Sequence, residues 1–215
     1  MQPTSPLREL LAATALRVGP DAPTLCSPWT VQDLLAHLVL RESRPDALPG
    51  IGLPVPALGE HTERLQDRAA GEHSLEELAD RVRSGPPAWW PTRVSALDRL
   101  VNTAELSIHL EDIVRAQPGW SPSELGEDVQ AQLWRTLTSA GRLLYRSSPV
   151  GVVAVAEGHG RAALRGPRSG SGSVVLRGTP LELVLHAFGR ERVARVEVEG
   201  APEDVVALAA HTRSV

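Results

Sequence analysis

The chain of 215 residues contains no lysine and has a single cysteine, methionine, tyrosine and phenylalanine. Without lysine there is no Schiff-base nucleophile, and all 22 basic residues are arginine, a composition typical of GC-rich bacterial genomes. The one cysteine, Cys26, excludes an internal disulfide, and the lack of a cysteine pair excludes a thiol redox centre or a thiolate zinc site.

Excess positive charge and long apolar runs are also missing. The 22 basic and 26 acidic residues give a formal net charge of -4 and an isoelectric point near 6.0, so no positive field favours nucleic acid. No apolar run approaches the roughly 18 residues that cross a bilayer, and the N-terminus lacks the features of a signal peptide. We therefore expect a cytoplasmic monomer or homodimer that binds small molecules, with neither nucleic acid nor membrane as a partner.

The hydrophobic pattern changes its period close to residue 148. Before that point apolar residues recur at spacings of three and four, and after it short Val and Ala runs alternate with Gly-rich breaks. The pattern predicts an α+β protein with a helical bundle over 1–148 and a small α+β domain over 149–215.

Start and stop signals divide the first domain into four long helices and a short one. The predicted helices run from Ser5 to Gly19, from Thr30 to Pro45, from Ser74 to 85, over 92–117 and over 123–146. Asp33 and Glu77 stand three residues after Thr30 and Ser74, as capping-box partners do. Prolines and glycines fill 45–60, which we expect to form a covering loop.

The second domain shows the shorter period of strands. Three strands are predicted at 152–157, 161–165 and 173–177. A helix capped by Thr179 with Pro180 at its first position should follow, and then a strand at 193–200 and a closing helix.

One predicted helix carries a polar stripe that could hold a metal. At 100° per residue its members fall within an arc of about 80°. They are Asp98, Asn102, Glu105, His109 and Asp112. Apolar residues border both edges, so the stripe needs polar partners or a metal, since an unpaired buried charge is costly. Glu105 and His109 lie one turn apart and aim a carboxylate and an imidazole at one point, although solvation or structural hydrogen bonding would also explain the stripe.

His37 in the second predicted helix is the candidate for a third ligand. This helix should pack in the same bundle as the polar stripe. By rotation, however, His37 also shares a side with Asp33, Arg41 and Arg44, which fits an exposed face.

Three segments together resemble a known family. They are CSPWTVQDLLAHL at 26–38, NTAELSIHLEDIVRA at 102–116, and TPLELVLHAFGR at 179–190 followed by VARVEVEG. They resemble the mycothiol-dependent maleylpyruvate isomerase-like group of the DinB/YfiT superfamily, and the resemblance spans nearly the whole chain. It implies a DinB-like four-helix bundle of up-down-down-up topology, followed by a small α+β domain.

The resemblance also implies a metal centre. A divalent metal, usually zinc and alternatively nickel, would be held by His37, Glu105 and His109. Two imidazoles and one carboxylate leave an open position, which is typical of a catalytic zinc site. A low-molecular-weight thiol bound there would be held as the thiolate.

Two further residues gain roles from the resemblance. Asp112 would orient a ligand or accept a proton near the metal, the alternative being a surface ion pair with Arg115. Arg190 would hold a carboxylate of the thiol or substrate, the alternative being a partner for a helix dipole. Independently of the resemblance, Trp89 and Trp90, with the 45–60 loop, would wall the pocket, the alternative being that the tryptophans belong to the core or plug the space between helices. Cys26 is interpreted as structural or incidental.

The function expected from these observations is a metal-dependent, thiol-dependent transferase or isomerase that acts on a small-molecule substrate. A non-catalytic metal-binding or ligand-binding module for stress responses would have the same sequence features. A metal-free bundle is the third alternative, provided that the stripe is paired internally.

Overall fold

A computed structural model describes residues 4–43, 69–86 and 96–211 of the chain. Within it the chain forms two compact units, residues 1–124 and 125–215. The predicted covering loop at 45–60, together with Trp89 and Trp90, lies outside the described residues. Among the residues that are described, no helix is long and apolar enough to cross a membrane.

The described part of the first unit is helical. Its helices are α1 (Thr4–Val18), α2 (Val31–Ser43), α3 (Leu75–Ser84) and α4 (Ala96–Val114). Helix α1 packs against α3 and α4, and α2 packs against α3 and α1. The apolar faces meet in a core whose fully buried members include Leu11, Leu34, Leu35, Leu38, Leu78, Leu106, Leu110 and Ile113.

Local capping signals set the starts of two helices described in this unit. Ser74 and Glu77 form the predicted capping box at the start of α3. At the start of α2, Asp33 accepts hydrogen bonds from the backbone and side chain of Thr30, at 2.9 and 2.8 Å. Helix α1 begins at Thr4, two residues before the start at Pro6 that an N-cap at Ser5 would give, so the prediction of Ser5 as the N-cap is wrong.

A buried ion pair connects three of these helices. Arg8 of α1 donates from Nη1 to Glu42 Oε2 of α2 at 2.8 Å and to the Val82 carbonyl of α3 at 2.9 Å. Its Nη2 pairs with the other carboxylate oxygen of Glu42. Both side chains are about nine-tenths buried, so each charge depends on the other for its solvation.

The second unit is an α+β structure. It contains α5 (Glu127–Leu144), β1 (Gly151–Ala156), β2 (Gly160–Arg165), β3 (Ser173–Arg177), α6 (Pro180–Ala187), β4 (Glu197–Glu199) and α7 (Pro202–Ala210). The sheet has the order β2-β1-β3-β4. Strand β1 is antiparallel to β2 and parallel to β3, and β4 is antiparallel to β3. The α+β class predicted from the sequence is confirmed, with a helical N-terminal part.

Helix α5 belongs by its contacts to the second unit, whereas the sequence boundary near residue 148 placed it in the first. It packs against α6 and β2, and Gly141 permits this approach because a Cβ there would lie 2.6 Å from Leu164 Cδ2. At its C-cap, Tyr145 is fully buried with its hydroxyl 2.9 Å from His186 Nδ1 of α6. The polar contact and the close packing fix α5 on its own unit.

Candidate metal centre

The candidate site is assembled from two helices and the segment that precedes α2. Helix α2 carries His37, and α4 carries Glu105, His109 and Asp112. The segment before α2 is attached to α4 by its backbone, since the Leu25 amide donates to the Asp112 carbonyl at 3.0 Å. The contact holds this segment beside the polar stripe of α4.

Three potential ligands converge between α2 and α4. Glu105 Oε1 lies 3.7 Å from His37 Nε2 and 3.3 Å from His109 Nε2, and the three ligand atoms all lie within 4.8 Å of one another. Ligands with bonds of about 2.0–2.1 Å to a tetrahedral zinc are roughly 3.3 Å apart, which is longer than an ordinary N–H···O hydrogen bond. Two imidazole nitrogens and a carboxylate oxygen at these separations fit a divalent metal.

The other nitrogen of His109 faces a second group of side chains. Its Nδ1 lies 2.9 Å from Asp112 Oδ2, and the Cys26 thiol donates to the same oxygen at 3.0 Å. Cys26 Sγ is 3.9 Å from His109 Nδ1. These three residues could also hold a metal, but two of the distances are those of hydrogen bonds. They therefore fit a hydrogen-bonded support for His109 better than a ligand set.

Arg41 contacts the same oxygen of the Glu105 carboxylate as the two histidines do. Its Nε is 3.4 Å from Glu105 Oε1, and its Nη1 donates to Asn102 Oδ1 at 2.8 Å. The Arg41 side chain is only 14% exposed. The exposed-face alternative for this side of α2 is therefore wrong, because His37 and Arg41 both turn towards α4.

The burial of its side chains contradicts the alternative in which the polar stripe of α4 faces solvent. Asn102 and His109 are buried, Asp112 is fully buried, and the Glu105 side chain is 24% exposed. Asp98 lies in the first turn of helix α4, where only the backbone is described. A surface ion pair between Asp112 and Arg115 is also wrong, since both are buried and Arg115 binds Glu111 at 2.5 Å.

The electrostatics of the cluster depend on its hydrogen bonds. Burial by itself raises the pKa of Glu105, but hydrogen bonds from His109 and His37 and the charges of His109 and Arg41 hold it well below its usual range. Burial lowers the pKa of His109, but hydrogen bonds to Asp112, Cys26 and Glu105 outweigh this and raise it well above the usual value. Without a metal, these contacts favour the ionised form of Glu105 and the protonated form of His109.

The structure adds two residues that sequence reasoning did not place at the site. Cys26 was interpreted as structural and Arg41 as solvent-exposed, yet each contacts a member of the polar stripe. The signal for Arg41 was its position one turn after His37, which puts both on one face. No local pattern connects Cys26 to Asp112, because the two residues are 86 positions apart.

Arg190 lies in the second unit, just after α6. Its amide donates to the Leu185 carbonyl at 2.9 Å, and its Nη1 donates to the Phe188 carbonyl at 2.6 Å. The side chain thus lies against the C-terminal carbonyls of its own helix, as a cation that complements a helix dipole does.

Comparison with solved structures identifies the fold. A crystal structure of the mycothiol-dependent maleylpyruvate isomerase aligns over 93% of this chain and 94% of its own, with a TM-score of 0.55 and 18% identity. The chain has the fold of that isomerase. A crystal structure of its histidine-to-alanine mutant aligns over 94% of this chain and 92% of its own, with a TM-score of 0.56 and 18% identity. No protein-family model and no curated protein matches the chain.

The likeness to the maleylpyruvate isomerase fold supports the α+β class with a helical N-terminal part that the sequence resemblance implies, and the four-helix bundle topology stays a prediction. The alignment extends over almost the full length of both chains, so it includes the helical part and the sheet. At 18% identity the likeness concerns the fold, and the chemistry has to be argued from the residues of this chain.

Proposed function

We propose that the protein is a zinc-dependent enzyme that activates a small thiol, either for transfer to an electrophile or for a thiol-assisted isomerisation. One observation carries the proposal. His37, Glu105 and His109 bring two imidazole nitrogens and one carboxylate oxygen together at the spacing of metal ligands, on helices that bury them. Two neutral nitrogens and one oxygen, with a position left open, are typical of a catalytic zinc.

Each residue of the candidate metal centre would have a separate role. His37 and His109 would bind the metal through Nε2, and Glu105 would bind it through Oε1. Asp112, by accepting a hydrogen bond from Nδ1–H of His109, would keep the Nε2 lone pair free to bind the metal. A thiol bound to zinc at such a site would have a lowered pKa and would be available as the thiolate nucleophile.

The identity of the thiol and the substrate is suggested by the similar fold alone. The solved structures are named for mycothiol and for maleylpyruvate, so these are the first thiol and the first substrate to test. We further propose that Arg190 holds a carboxylate of the thiol or of the substrate. Arg190→Gln should then raise KM and change kcat less, since it removes binding rather than chemistry.

The experiment that tests the metal site is elemental mass spectrometry. The protein, purified without a metal-binding tag, should contain close to one zinc or nickel per chain, and His109→Ala should lose it. His73→Ala is the matched control, because His73 lies outside the cluster and its imidazole pairs with Glu77. Folded protein that takes up neither metal on titration would overturn the proposal, and bound metal without turnover would indicate a binding module.

A further inference from the structure

Arg41 occupies an unusual place for a cation beside a metal ligand. Its guanidinium contacts Oε1 of Glu105, which is the same oxygen that faces His37 and His109. A second contact, from Nη1 to Asn102 Oδ1 at 2.8 Å, holds the side chain in this position. Arg41 is therefore fixed against the carboxylate rather than extended into solvent.

A guanidinium stays charged at every pH at which the protein is folded. Without a metal, Arg41 therefore balances the negative charge of Glu105, which would otherwise be partly buried without a permanent cation. A divalent ion that binds Glu105 has to approach this fixed positive charge. The same residue that stabilises the metal-free site thus opposes the metal electrostatically.

The charges of the loaded site add up to a cation. Zinc carries two positive charges, the imidazoles of His37 and His109 are neutral as ligands, and Glu105 removes one charge. Arg41 adds one positive charge, and the carboxylate of Asp112 beside His109 Nδ1 adds one negative charge. The total therefore stays positive. An anion in the open position would therefore be favoured over water or a neutral thiol.

We propose that Arg41 is a positioning and specificity residue: it is the counterion of Glu105 in the metal-free protein, and it directs the open metal position towards an anionic ligand. The inference rests on the proposed metal site, but it makes a separate statement about a residue outside the ligand set. Removal of the positive charge of Arg41 should strengthen the binding of the metal and weaken the binding of an anion.

Two substitutions separate charge from geometry. Arg41→Gln removes the charge and keeps an N–H donor at the position of Nε, beside Glu105, whereas Arg41→Lys keeps the charge and loses the planar fork. Arg17→Gln is the control, because Arg17 is exposed near the end of α1. This substitution removes the same charge at a position away from the site. Circular dichroism of each metal-free variant establishes that it is folded.

The first measurement is zinc affinity, by competition with a chromophoric chelator. Arg41→Gln should bind zinc about tenfold more tightly than wild type, and Arg41→Lys and Arg17→Gln should bind it as wild type does. The second measurement is azide binding to the cobalt-substituted protein, followed by its visible spectrum. Arg41→Gln should bind azide about tenfold more weakly, and Arg41→Lys should restore the affinity.

The outcomes distinguish this inference from the proposed function. If wild type binds zinc and His109→Ala does not, while Arg41→Gln binds zinc and azide as wild type does, the metal site stands and the role of Arg41 is overturned. Weaker zinc binding by Arg41→Gln also overturns it, because that result assigns Arg41 to the support of Glu105 alone. If no variant binds metal, both proposals fail.

Discussion

Asp112 Oδ2 lies 2.9 Å from Nδ1 of His109, on the edge of the imidazole away from Glu105. The carboxylate is fully buried, so it is a strong acceptor for an N–H at this nitrogen. A hydrogen at Nδ1 leaves the lone pair of Nε2 directed towards Glu105 and His37. The contact thus selects the tautomer of His109 that can bind a metal.

Asp112→Asn is therefore expected to weaken zinc binding by about 10-fold to 100-fold, the usual effect of losing a partner of a metal ligand. The amide is a weaker acceptor and can present an N–H to His109 instead. Chelator competition measures the change. Asp128→Asn, an exposed carboxylate in the first turn of α5, should leave zinc affinity unaltered, and an equal loss in both variants would contradict the role of Asp112.

Cys26 supplies the second hydrogen bond to Asp112. Cys26→Ala should lower the free energy of unfolding of the metal-free protein by about 1 kcal/mol, because a buried carboxylate loses a donor. Cys26→Ser keeps a donor and should recover part of the loss. Urea denaturation gives both values, and equal destabilisation in Ala and Ser variants would show that the thiol acts by packing rather than by hydrogen bonding.

Zinc affinity should fall as the pH falls from about 8 to about 6. Zinc and a proton compete for Nε2 of each imidazole, and the pKa of His109 without metal is raised well above its usual value. Zinc must therefore displace a proton from His109 even near neutral pH. The apparent affinity should change by about tenfold per pH unit for each proton displaced. A pH-independent affinity over this range would contradict ligation by His109.

The buried pair of Arg8 and Glu42 gives a prediction about stability. Glu42→Gln should destabilise the protein by about 3–5 kcal/mol, since it leaves Arg8 charged and buried without its counterion. Replacement of both residues by apolar ones should cost less than the two single changes together. Arg83→Gln, which removes a cation from the surface pair with Glu9, should have a much smaller effect on urea denaturation.

The parts of the fold predicted from the sequence are those that local chemistry determines. The capping boxes of Thr30 with Asp33 and of Ser74 with Glu77, and the cap of Thr179 before Pro180, form within a few residues of one another. Such contacts survive in almost any tertiary setting. For the same reason, the polar stripe of α4 could be recognised from helical spacing alone.

The features that the sequence did not reveal depend on distant contacts. The predicted strand at 193–200 is reduced to Glu197–Glu199, because only this part pairs with β3. The allocation of α5 depends on Gly141 facing Leu164, and the contact of Cys26 with Asp112 depends on how α4 meets the segment before α2. Residue patterns indicate the propensity and the period of secondary structure, but they do not indicate which surfaces pack against each other.

Two side-chain contacts around the candidate metal centre join parts of the chain that are far apart in sequence: Cys26 and Asp112 are separated by 86 positions, and Arg41 and Asn102 by 61. A metal ion bound by His37, Glu105 and His109 would close loops of comparable length, as a removable cross-link does. The folded state would then gain about 1.4 kcal/mol for each tenfold rise of free zinc above the dissociation constant. The free energy of unfolding would thus increase with the concentration of free zinc.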